Sequence, residues 1–230
     1  MTDQSNSRLN ASIAAMRIGL EHGQNYLATL EQRNVAPCKK ALADLEHFLE
    51  DLPDEPADLH QTLGLLAKYG APATTATAAG RFFGLVVGGT LPASLGARIM
   101  ASAWDQVVFN DGTSPVGVTL ENVASAWLLD LLGLPETASV GFVTGTSLGT
   151  LVCLAAARHA LLKKAGWDVT AKGMTGAPRL HIVASAEIHV INAKILALLG
   201  IGTDDINYVE CDEQGRMKLE ALPELNEQSI

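Results

Sequence analysis

The chain has 230 residues, 48% of them hydrophobic, and a formal net charge of −9. Length and apolar content allow a sizeable core, enough for one large domain or one and a half ordinary ones, and exclude a disordered polymer. The acidic balance and scattered Lys and Arg argue against a nucleic-acid backbone as partner, because that affinity comes from clustered cations.

Further classes drop out on local grounds. Gly, Pro and charge interrupt the apolar residues before any run reaches the roughly 18–20 that a membrane span needs, and the polar start MTDQSNSRLN lacks the apolar stretch of a secretory signal. Cys38, Cys153 and Cys211 are far apart and odd in number, so no disulfide framework or CxxC metal motif is expected, and a cytoplasmic, reducing setting fits.

In chain order, Ile13, Met16, Leu20, Leu27 and Leu30 recur at helical spacing between about residues 9 and 30 and predict a helix with one apolar face. LPDEPADL at 52–59 and APATTATAAG at 71–80 read as linkers. The main body is expected from Arg81, giving residues 1–80 as a helical segment with linker and 81–230 as the principal domain. A helix from about Gly117 to Leu132 directs Leu120, Val123, Ala124, Trp127 and Leu128 to a core and stops at Gly133 before Pro135. Apolar strands at Val140–Thr144, His181–Ala184 and Asn207–Val209 then alternate with helical patterns at Leu148–Lys164 and about His189–Leu199. That alternation describes an α/β sheet with crossover helices.

The stretch VGFVTGTSLGTLVCLAAARHALLKKAG carries the most chemistry. A strand enters Gly145-Thr146-Ser147 and a helix leaves with Leu148, Leu151, Val152, Ala155 and Leu162 on one face. The first turn of a helix has unpaired N–H groups and a partial positive charge, so small hydroxyl residues there suit a phosphate; Ser and Thr also cap helices that bind nothing. The same residues match a G-x-S-x-G nucleophile elbow with Ser147 as nucleophile. An α/β serine hydrolase is therefore an alternative, for which His159, His181 and His189 are the later histidines, and His189 the one that an acid such as Asp168 or Glu187 accompanies. In HIVASAEIHVINAK, His189 falls between a strand and a helix, at the sheet edge where open α/β sheets bind ligands.

Taken in order, RFFGLVVGG, ASAWDQ, GFVTGTSLGTLVCLAAARHALLKKAGWDV, AEIHVINAK and DEQGRMKLEAL resemble the group II pyridoxal-phosphate-dependent decarboxylases, which include glutamate and aromatic-amino-acid decarboxylases. The likeness is dense from about Arg81 to Leu222. It implies part of the large domain of the type I, aspartate-aminotransferase-like fold, preceded by a helical segment, with pyridoxal 5′-phosphate as cofactor. It implies that Gly145, Thr146 and Ser147 hold the cofactor phosphate and that His189 stacks on the pyridine ring beside the reacting carbon, as a binding and catalytic residue. It further implies an amino-acid substrate that loses its carboxylate, and a homodimer exchanging N-terminal helices.

The pattern is incomplete. The family uses an Asp against the pyridine nitrogen and a Lys, usually after a His, that holds the cofactor covalently, both well beyond the stacking His. No His-Lys pair occurs in these 230 residues. Lys194 follows His189 in the predicted helix and reads as a solvated lysine, and Leu85, Val86 and Val87 read as core packing. A non-catalytic relative acting as a binding or dimerisation module is the remaining alternative.

Overall fold

The computed structural model describes residues 2–226 and 229–230. They form two compact units, 1–107 and 108–230.

In the first unit, α1 (Thr2–Ala28) runs for about 40 Å at 1.5 Å per residue. Short helices α2 (Lys39–Ala43) and α3 (Leu59–Leu65) follow, then α4 (Pro92–Trp104). Asp58 starts α3 by accepting from the backbone N–H of His60 and Gln61 at 2.9 and 3.2 Å. Pro92 occupies the first turn of α4, where its missing N–H costs nothing, and Asp105 ends the helix in a left-handed conformation. The segment 71–80 is not a free linker. Ala76 and Ala79 are buried with Leu30 beside Tyr26, the Tyr26 hydroxyl meets Thr74 Oγ1 at 3.0 Å, and Ala76 N donates to the Val35 carbonyl. Its alanines let this backbone lie close to the end of α1. Arg81 fastens the return by donating to the carbonyls of Glu31 and Arg33.

Leu9, Ile13, Met16 and Leu20 on α1, with Leu95 and Ile99 on α4, line an apolar groove of about 990 Å³. Leu85 and Val86 are not core residues: both are almost wholly exposed, with φ of 59° and 53°. Left-handed backbone costs a side-chain-bearing residue about 1–2 kcal/mol, and most for a β-branched one.

The second unit holds α5 (Pro115–Leu131), α6 (Thr146–Lys164), α7 (Val169–Lys172), β1 (Ile182–Ser185), α8 (Val190–Leu198) and β2 (Ile206–Val209). Strands β1 and β2 pair in parallel, Ile182 opposite Ile206 through Ser185 opposite Val209, with α8 as the crossover that parallel strands need. On the other edge of β1, Val183 N donates to the Ile230 carbonyl and Ile230 N to that of His181. The core gathers Leu162 from α6, Ile182 and Ala184 from β1, Ile195 and Leu196 from α8, and Ile206 from β2.

Two expectations for this unit fail. Residues 140–144 precede α6 without forming a strand: none of the described residues pairs with them, and Phe142 stays half exposed. On α5, Leu129 is buried whereas Leu120 and Trp127 are 60% and 72% exposed, because no described element covers that face. The end of α6 follows its sequence signals. Gly166 adopts φ +80°, its N–H donates to Lys163, and Trp167 N donates to Leu162 at 2.8 Å, a Schellman closure.

Candidate cofactor site

Gly145 is the N-cap of α6, with extended backbone (φ 179°, ψ 164°) that any residue adopts. Its carbonyl takes the N–H groups of Leu148 and Gly149, both at 3.1 Å. The backbone N–H groups of Thr146 and Ser147, and both hydroxyls, have no partner among the described residues. The first turn contains no acidic residue, and a Cβ at Gly145 would meet nothing within 4 Å. Unspent donors, a helix's positive end and open space in front suit a phosphate dianion.

His189 starts α8. Its Nδ1 accepts the backbone N–H of Ile191 at 3.2 Å, and its carbonyl takes the N–H and the side-chain Nδ2 of Asn192 at 2.9 and 3.0 Å. With Nδ1 an acceptor, the neutral ring carries its proton on Nε2. The imidazole is exposed, so the cap fixes the ring without burying it. The turn leading there is held by Ser185, whose Oγ accepts Glu187 N and lies 3.0 Å from Cys211 Sγ, and whose carbonyl accepts Ile188 N.

Both features therefore sit at helix starts in one unit, and α6 and α8 share one core. No hydrogen bond joins the loop to His189 among the described residues. Lys194 is exposed in the middle of α8, a solvated lysine as expected.

The serine-hydrolase reading does not hold. A nucleophile elbow sets its Ser on a strained strand-to-helix turn, but Ser147 is the second residue of α6 and has ordinary negative φ. Nor does it bond to any histidine among the described residues. His159 lies within α6, His181 bridges to Ser229, His189 is committed to Ile191, and Asp168 is spent capping α7 through Thr170 N and Ala171 N.

Residues 43–230 match the family model described as the pyridoxal-dependent decarboxylase conserved domain. The chain belongs to this family. It is 31% identical over 163 residues to acidic amino acid decarboxylase GADL1 of Xenopus tropicalis, covering 71% of this chain and 31% of that protein. Against the Homo sapiens GADL1 the identity is 32% over 142 residues, 62% of this chain and 26% of that one. Among solved structures, mouse CSAD superposes with a TM-score of 0.79 at 24% identity over 92% of this chain and 44% of its own. Oryza sativa TDC with PLP and tryptamine gives 0.76 at 24%, over 89% and 42%. The chain thus spans about a quarter to a third of these curated relatives, and the fold is part of the type I large domain.

One contact between α6 and the end of α8 has no local sequence signal. Arg158, on α6, donates from Nη1 to the carbonyl of Leu199 at the end of α8, 2.6 Å away and 41 positions along the chain. Only tertiary packing brings them together.

Proposed function

We propose that these residues supply the phosphate-binding loop and the ring-stacking histidine of a pyridoxal-phosphate-dependent amino-acid decarboxylase. The observation that carries the reading is the set of unspent donors at Thr146 and Ser147, inside a stretch that the family model matches. In the proposed site Thr146 and Ser147 donate backbone N–H and hydroxyl hydrogens to the phosphate, and the positive end of α6 offsets its charge. His189 lays its ring on the pyridine face. Its capping bond to Ile191 limits ring rotation, which favours a fixed stacking plane. Nε2–H is then a proton position beside the reacting carbon. Bound pyridoxal phosphate supplies the electron sink that lets an amino acid lose carbon dioxide.

Residues 1–230 contain no His-Lys pair of the kind that holds the cofactor covalently in the family, so the proposed role of this stretch is cofactor binding through the loop and the ring. The whole enzyme is proposed to be a cytoplasmic homodimer. The apolar groove lined by α1 and α4 supports a second copy's N-terminal helices as its occupant.

Borohydride reduction after addition of pyridoxal phosphate tests the assignment. The expected result is no stoichiometric adduct at any one lysine, and no carbon dioxide release from amino acids. A single stoichiometric adduct at Lys194 would overturn it.

A further inference from the structure

Arg158 lies twelve positions into α6, counted from Thr146, and Leu199 lies ten positions past His189. At about 1.5 Å per residue, both are roughly 15–18 Å from the helix starts that carry the candidate site. Their hydrogen bond of 2.6 Å is a polar tie between two helices that also share an apolar core. To that packing a guanidinium directed at one carbonyl adds a directional constraint.

The carbonyl it meets belongs to the last turn of α8, where such groups lack partners within the helix and where a cation suits the helix dipole. Leu199 is 7% exposed, so water has little access. The arrangement also leaves Arg158 Nε buried without a partner. Reaching Leu199 with Nη1 thus takes the Nε–H out of water.

We infer that Arg158 is a positioning residue: it sets α8 against α6, and through the two helices it sets the spacing between the Gly145–Ser147 loop and the His189 ring. This inference rests on the cofactor reading proposed above. It separates two ligands. Inorganic phosphate needs the loop alone. Pyridoxine 5′-phosphate, which has no aldehyde and cannot react with lysines, needs the loop and the ring at the right distance.

The test measures both affinities by amide NMR titration in the wild-type chain, Arg158→Met and Arg158→Lys, together with amide hydrogen exchange along α8. In Arg158→Met, phosphate affinity is expected to stay within about twofold, while pyridoxine 5′-phosphate weakens by about tenfold, the loss of roughly one oriented contact. Arg158→Lys, which keeps a donor, recovers part of that loss. In a His189→Ala background Arg158→Met adds nothing further, because the contact it positions is gone. An equal loss for both ligands, or none for either, overturns the positioning role and leaves the cofactor reading intact. If the wild-type chain binds neither ligand, the cofactor reading fails, and exchange alone decides the tie: α8 amides must exchange faster in Arg158→Met while those of β1 stay unchanged, and unchanged α8 exchange overturns it.

Discussion

Helices α6 and α8 rest on the same core but begin in opposite ways. At α6, Gly145 offers no side chain, and the first N–H groups and two hydroxyls stay unspent. At α8, His189 spends its own Nδ1 on the Ile191 N–H and gains a fixed ring in exchange. An open helix start leaves donors available to an anion, whereas one capped by an imidazole uses a donor internally and holds the ring in place. In the proposed site the two contacts are therefore unlike although each comes from a helix start.

Both helix starts rest on one core, so the largest expected effect comes from breaking that core. Leu162 is completely buried where α6, β1 and α8 meet. Leu162→Ala should cost about 2–5 kcal/mol in denaturant unfolding and perturb the amides of both helix starts. Perturbation of α6 alone would mean that the two starts are independent local motifs.

Ser147→Asp sharpens the contrast at the open start. A carboxylate there should raise stability by about 0.3–1 kcal/mol through the helix dipole, yet weaken pyridoxine 5′-phosphate by about tenfold or more through like-charge repulsion. Thermal unfolding and ligand titration on the same sample would show opposite signs.

His189 separates mount from cap. His189→Ala should lose about 0.5–2 kcal/mol of stability, while His189→Asn, which retains a capping oxygen, should lose much less. Both should weaken the ligand equally, since neither has a ring. Equal stability in the two variants would remove the capping role.

The smallest effect lies in the Asp212–Arg216 turn. Asp212 is held below the usual aspartate range, first by the backbone N–H of Arg216, then by its side chain and by the N–H of Gln214. The folded value is depressed, so the turn's contribution is present above the ordinary aspartate pKa and is lost as pH falls through the lower folded value. Amide shifts of Gln214 and Arg216 should therefore titrate below the usual aspartate range, with those of Ile191 unaffected.

Much of this was legible in the sequence because the signals are local. Lys163, Lys164 and Gly166 announced the end of α6, and the apolar runs at 181–184 and 207–209 announced the parallel pair. The α4 helix has weaker local signals, Pro92 at its opening and Leu95 and Ile99 at helical spacing, among Gly and Ala residues that suit a loop as well. Residues 140–144 have a strand's composition without a described partner to pair with, and pairing, not composition, makes a strand. Alanines at 76 and 79 looked like linker because smallness serves close packing as well as flexibility. The motif order in 145–189 pointed to a cofactor, but the capping bond of His189 and the tie from Arg158 depend on geometry that spacing does not encode.

The most direct test of the two-contact site is one NMR titration of the chain with pyridoxine 5′-phosphate, following the Thr146 and Ser147 amides and the His189 ring protons together. The site described here requires both sets to shift along one saturation curve, with the ring protons moving upfield as the imidazole stacks. Amide shifts that saturate while His189 stays still would contradict it.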